Sequence, residues 1–197
     1  MPFQHLLIAS TMVLALLVGG CSREEGPSAD NPGKAAKREV SVQTVAAEAK
    51  GFTVGALMST HAVYVFFDPQ CPHCGHLWQA SLPLHKKAKF VWIPVAWINA
   101  SSLSQGAALL TASNPLALMN EHETSLLGGK GGIAASSSVP SEVEQHIKAN
   151  TKLLGSLGAE SVPFVVVKNP ATGQTVHRDG ALTTAALATL IGVDMAQ

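Results

Sequence analysis

The run AVYVFFD, Ala62–Asp68, leads through Pro69 and Gln70 straight into Cys71-Pro72-His73-Cys74. The run is β-branched and aromatic until its last residue, so it reads as a buried strand. A helix starts within the motif and extends from Pro72 to Lys87. Proline suits the first helical turn, since its missing N–H has no partner to lose there. His73, Leu77 and Leu84 follow the helical period, and Pro83 should kink the helix. A buried strand delivering a cysteine pair to a helix N-terminus restricts the chain to few folds.

The remaining elements can be read around that unit. KFVWIPVAWI, Lys89–Ile98, is a second buried strand, with Pro94 hinting at an edge or bulge. Three helices are expected in the middle, at Gln105–Ala112, Leu116–Leu127 and Ser141–Leu157. The last opens on Ser141-x-x-Glu144, a capping-box pattern. Gly128–Ser138 has the composition of a flexible loop, and Lys130 is not followed by the Ser or Thr of a phosphate loop. Two strands follow, PFVVVKN and QTVHRD, joined by a Pro/Gly turn, and then a helix near Leu182–Ile191. Upstream, Val40–Leu57 is ambiguous: its start alternates like a short strand, and GFTVG suits a hairpin edge.

The expected fold is therefore α/β: a small mixed sheet with helices on both faces, in the thioredoxin order. A helical insertion at about 101–157 precedes the third core strand, within a domain spanning 62–193. Residues 40–61 read as a short N-terminal extension.

The N-terminus reads as export machinery. Leu6–Gly20 is apolar and uncharged, too short for a span of about 20 residues, and fits a secretory signal core. It ends in LVGGC, which resembles the lipobox of bacterial lipoproteins. The expected division is a signal at 1–20, then lipidated Cys21 opening a tether at 21–39 that is rich in Gly, Pro, Ala and charge. MPFQH lacks the usual basic flank. Ser22 favours the outer membrane by the same resemblance, so the expected place is the periplasmic side, held by lipid. Formal net charge is zero, with no block of like charges, which argues against a nucleic-acid partner.

Four chemistries compete for Cys71 and Cys74. Structural zinc wants four ligands, and no second cysteine pair exists. Covalent haem needs His directly after the second cysteine, where Gly75 stands. A purely structural disulfide with so short a loop would constrain the unfolded chain little. A redox dithiol explains more. With Cys21 lipidated, the pair has no third partner. Cys71 at a helix N-terminus meets free N–H groups and the positive end of the dipole. Pro72 and His73 complete a setting that lowers a thiol pKa. Nothing in the motif requires a metal or an organic cofactor.

The stretch FFDPQCPHCGHLWQASLP resembles the active-site segment of the periplasmic disulfide isomerases, the DsbG/DsbC family. The shared features are Asp-Pro-x-Cys-Pro-x-Cys, a tryptophan like Trp78 and a helix proline like Pro83. LLGSLGAESVPFVVV resembles the family's later segment. The resemblance covers about Ala62 to Gly192 and implies thiol–disulfide exchange on client proteins with cysteines. It makes Cys71 the nucleophile and Cys74 the resolving thiol. Pro163 becomes a cis-proline facing the dithiol, and the backbone at Val162 pairs with substrate. A membrane redox partner of the DsbD or DsbB kind is also implied.

The chain departs from that pattern in three ways. The short stretch between Ser22 and Ala62 does not match a dimerisation domain with its linker helix, so a monomer is expected. His73 replaces the isomerases' tyrosine, and CPHC, like Val162 before Pro163, is similar to the oxidase DsbA. Val65 stands six residues before the first cysteine, where thioredoxin and DsbA carry a buried acid. Asp68 is read as a local polar or capping group, Trp78 as helix packing, His76 as solvated, and Met119 as core or groove lining. A non-catalytic binding module of an envelope complex is the competing class.

Overall fold

A computed structural model describes residues 37–195. The expected signal, Cys21 and most of the tether lie outside the described residues. Five strands form one mixed sheet in the order β1-β3-β2-β4-β5. They are β1 (Phe52–Gly55), β2 (Ala62–Phe67), β3 (Lys89–Pro94), β4 (Phe164–Lys168) and β5 (Thr175–Asp179). β2 and β3 are parallel, and every other pairing is antiparallel.

The central position of β2 follows from its sequence. Val63, Val65, Phe66 and Phe67 are all buried, so both faces of the strand need cover. Alternation puts Val63, Val65 and Phe67 on one face. There Phe67 meets Trp92 edge-on at 5.5 Å, and Trp92 meets Trp78 at 5.1 Å. On the other face Phe66 packs against Phe164.

α2 (Pro72–Ser81) packs with α4 (Pro115–Leu127) and α6 (Thr184–Ile191). α3 (Ala100–Leu110) and α5 (Ser141–Ser156) pack on each other and on β3, while α1 (Val42–Glu48) lies on β2 and β4. Three helices, α3 to α5, thus stand between β3 and β4, where the insertion was expected.

Several local expectations are corrected. The segment after Val40 is a helix: Ser41 caps it by accepting from Thr44 N–H, and Val45 anchors it in the core. Residues 52–55, inside the expected extension, form the edge strand of the same sheet. α2 stops at Ser81 and tightens into a 3-10 turn at Leu82–Leu84, because Pro83 cannot donate to the α ladder. β3 ends at Pro94, which is neither a bulge nor on an edge strand, since β3 lies between β1 and β2. Beyond it, Val95 N–H still donates to Phe67 O, Ala96 N–H donates to Thr151 Oγ1, and the N–H groups of Trp97 and Ile98 turn to a carboxylate.

α3 starts at Ala100, five residues before the expected start, because Asn99 and Ser102 form a capping box there. At α5 the expected box does not form. Pro140 is the cap residue, and Glu144 pairs with Lys148 one turn on, at 2.5 Å.

Candidate functional site

β2 ends at Phe67, and Asp68-Pro69-Gln70 carries the chain to Cys71, the N-cap of α2. Cys71 N–H donates to Asp68 O at 3.0 Å, and Cys74 N–H donates to Cys71 O at 3.0 Å. Both cysteines are free thiols. They differ in burial: Cys71 keeps 4% exposure and Cys74 none.

Their acidities diverge accordingly. The Cys71 thiol is lowered to about 7, chiefly because the Cys74 S–H donates to its sulfur, with help from the N–H groups of Cys74 and His73. Burial and the nearby Asp68 charge oppose this. The Cys74 thiol is pushed well above its ordinary value by burial, then by its bond to Cys71. One thiol can thus ionise near neutral pH, and the other stays protonated.

The structure brings the later segment to the same place. The Val162–Pro163 peptide bond is cis. The Cys71 thiol donates to Val162 O at 3.4 Å across 91 residues of sequence. Cys71, Cys74, Val162 and Pro163 therefore share one site. Pro72 occupies the first helical position, and both Pro72 and His73 are exposed. His73 lies at the sulfur through its backbone N–H. Among the described residues no group of three metal-ligating side chains gathers.

Asp68 does more than cap. It is fully buried, and each carboxylate oxygen has two donors. Oδ2 accepts from the N–H groups of Trp97 and Ile98 at 2.6 and 2.9 Å. Oδ1 accepts from Gln70 N–H at 2.8 Å and Ser102 Oγ–H at 2.7 Å. A carboxylate satisfied this fully fixes the loop that delivers Cys71. It also leaves Trp97 and Ile98 exposed beside the site.

The helical insertion holds the same loop from the other side. Gln70 Nε2 donates to Gln105 Oε1 and Gly131 O, and its Oε1 accepts from Asn99. Ile133 N–H donates to His122 Nδ1 at 3.2 Å, so the Nε2 side carries the proton and donates to Pro69 O at 2.7 Å. Burial lowers the His122 pKa and keeps this neutral tautomer. The glycine-rich segment read as a flexible linker is thus fastened to the active-site loop through Gly131 and Ile133.

Trp78 is packing, as read. Its ring is buried, and its indole N–H donates to Asn120 Oδ1 at 2.8 Å. Met119 is core and His76 is exposed. Sequence reasoning missed Gln70, Gln105, His122 and Glu123. Met119, His122 and Glu123 recur at i, i+3 and i+4, the spacing of a buried helix face. That spacing was the available signal for the last two.

No family model matches the chain. The thiol:disulfide interchange protein DsbG of Pseudomonas aeruginosa is 29% identical over 140 residues, covering 70% of this chain and 54% of its own. DsbG of Escherichia coli is 32% identical over 105 residues, 52% of this chain and 42% of its own. The chain spans about half the length of these curated relatives. A periplasmic thioredoxin-like protein from Salmonella enterica serovar Typhimurium superimposes with a TM-score of 0.61 at 17% identity, over 81% of this chain and 100% of that one. The chain has a thioredoxin-like fold and a DsbG-like sequence.

Proposed function

We propose that this chain is a thiol–disulfide oxidoreductase of the bacterial cell envelope, acting on cysteine-containing proteins. The observation that carries the reading is the asymmetry of the pair: an acidified Cys71 that keeps a little exposure, beside a fully buried, protonated Cys74.

Cys71 thiolate attacks one sulfur of a substrate disulfide and expels the other as a thiolate. A mixed disulfide then joins Cys71 to the client. Cys74 loses its proton and attacks Cys71 Sγ, so the Cys71–Cys74 bond forms and the client sulfur leaves reduced. The reverse sequence oxidises a client dithiol by the same two electrons. In the mixed disulfide, the client backbone pairs along Val162, whose carbonyl already faces Cys71.

The thiol at about 7 lies within the range of CxxC nucleophiles. The same two sulfurs serve oxidation, reduction or isomerisation, and direction is set by the potential of the pair and by its partners. Leu6–Gly20 and Cys21 support export and lipid anchoring at the periplasmic side, with a membrane redox protein of the DsbD or DsbB kind as the recycling partner.

The test is a glutathione redox titration of the full chain, read by alkylation of the free thiols. A single two-electron transition is expected, and its midpoint gives the direction: near DsbA, about −120 mV, an oxidant, and near thioredoxin, about −270 mV, a reductant. Failure of the two cysteines to interconvert would sink the reading. A Cys74→Ala variant should then hold clients as mixed disulfides that a reductant releases.

A further inference from the structure

Glu123 is the most anomalous side chain in the fold. It sits on α4, in the helical insertion, with 1% exposure. Neither carboxylate oxygen has a hydrogen-bond partner. A buried carboxyl without a partner is costly, and stability alone does not explain one.

Its position is specific. A Cβ built at Gly75, the residue after Cys74, would lie 2.5 Å from Glu123 Oε2 and 3.1 Å from Leu127 Cγ. The carboxyl thus occupies the space that a side chain at position 75 would fill. It is close enough to both thiols for their charges to interact: the Cys71 thiolate acts on Glu123, and Glu123 acts on Cys74.

The surrounding elements offer Glu123 no cation. α2 contributes Cys71 and Cys74, while its His73 and His76 are exposed. α3 and β1, also packed on α4, carry no titratable residue. On α4 itself, His122 is engaged by Pro69 and Ile133, and Glu121 is exposed. Lys130 in the following loop is exposed too.

We infer that Glu123 is the proton acceptor and donor for the resolving thiol Cys74, supplied by the helical insertion from across the α2–α4 interface. The inference rests on the dithiol reading above.

When Cys71 is tied to a client, the Cys74 S–H gives its proton to the Glu123 carboxylate through one intervening water. The Cys74 sulfur attacks Cys71 Sγ, the S–S bond to the client breaks, and the client thiolate takes a proton from water. The protonated carboxyl later returns its proton to solvent. In the oxidising direction a client thiolate attacks Cys71 of the disulfide, and Glu123 gives its proton to the departing Cys74. Burial, and secondarily the Cys71 thiolate, push the Glu123 carboxyl up to about 8. That places it between solution carboxylates and the raised Cys74 thiol, where it can exchange a proton near neutral pH.

The test follows the release of chromophoric thiol from an aromatic disulfide, dithiobis-nitrobenzoate, by the reduced full chain. Cys71 releases the first equivalent, and Cys74 releases the second as it resolves the adduct. In Glu123→Gln, the first phase should stay within a few-fold of wild type. The second should slow on the order of 10²-fold at pH 7, the usual share of a general base. Wild type should level off at or below pH 8, because the adduct removes the Cys71 charge. The variant should keep rising tenfold per pH unit through pH 9.

Equal second phases with the same pH profile would overturn the role of Glu123 alone. Release of a single equivalent by wild type would instead overturn the dithiol reading. If the glutamine variant does not fold, the wild-type profile decides: a second phase that rises through pH 9 without bending overturns the inference.

Discussion

Replacing Glu123 by Gln should make the protein more stable at neutral and alkaline pH, while slowing it as an enzyme. The carboxyl is raised from an ordinary 4.5 to about 8 by burial first and the Cys71 thiolate second. In the unfolded chain it ionises near 4.5, so between the two values the folded state binds the extra proton. Stability therefore falls as pH rises through this window, by about 1.4 kcal/mol per unit once past its lower edge. Between pH 5 and pH 8 the loss attributable to this one group is roughly 3 to 4 kcal/mol. That is a large part of the 5–15 kcal/mol typical of a domain. Glutamine fills the same volume and does not titrate, so the variant lacks the loss. The assay is urea unfolding of both reduced proteins at pH 5, 6, 7 and 8. The two stabilities should be similar at pH 5 and diverge steadily in the variant's favour. A constant difference across the series would refute the reasoning, since it would mean that Glu123 carries its charge in the fold or finds a partner. A purely structural role predicts the opposite sign, a variant weaker at every pH.

Other consequences follow from the same geometry. The rate of Cys71 alkylation by iodoacetamide should rise with pH around a midpoint of about 7, against about 8.5 for a free cysteine; in Cys74→Ala the midpoint should move up, because the first cause of the acidity is the Cys74 hydrogen bond. Asp68→Ala should cost about 3–5 kcal/mol in chemical unfolding, since it leaves the buried Ser102 hydroxyl and the part-buried N–H groups of Trp97 and Ile98 without their partner; a loss below 1 kcal/mol would contradict its anchoring role. His122 is held neutral by burial, so the unfolded chain binds the extra proton and stability should fall as pH drops below about 6.5. His122→Asn should flatten that acid limb in a thermal series.

The legible part of this protein was the part encoded by local pattern. The hydrophobic run of β2, the prolines at positions 72 and 83, and the turn before β5 each act over a few residues. The succession of elements from β2 onward and the cysteine-bearing helix could therefore be read directly. The position of Val162 and Pro163 opposite the dithiol was implied only by the resemblance to the DsbG/DsbC family. Edges and boundaries were harder. Val40 onward alternates as a strand would, yet Ser41 captures Thr44 N–H and turns the segment into a helix. Ile98 has strand composition, but its N–H goes to Asp68, so β3 stops at Pro94.

What sequence could not supply was the tertiary pairing of polar groups. Asp68, Gln70, His122 and Glu123 look like ordinary polar residues, and the role of each depends on groups distant in sequence that the fold brings beside it. The empty acid position at Val65 illustrates the point. Val65 is buried in β2 and registers against Val165 of β4 and Trp92 of β3, so the strand there is given over entirely to packing. A proton carrier for Cys74 need not come from the strand, because α2 is flanked on its other side by α4. There Gly75 leaves room for a carboxyl that a larger residue would exclude. The isomerase-like flanks and the oxidase-like Pro-His pair meet at one sulfur. His73 acts on Cys71 through its backbone N–H, while Asp68 opposes the thiolate. The acidity of Cys71 is therefore set by what packs around the motif as well as by the two residues between the cysteines.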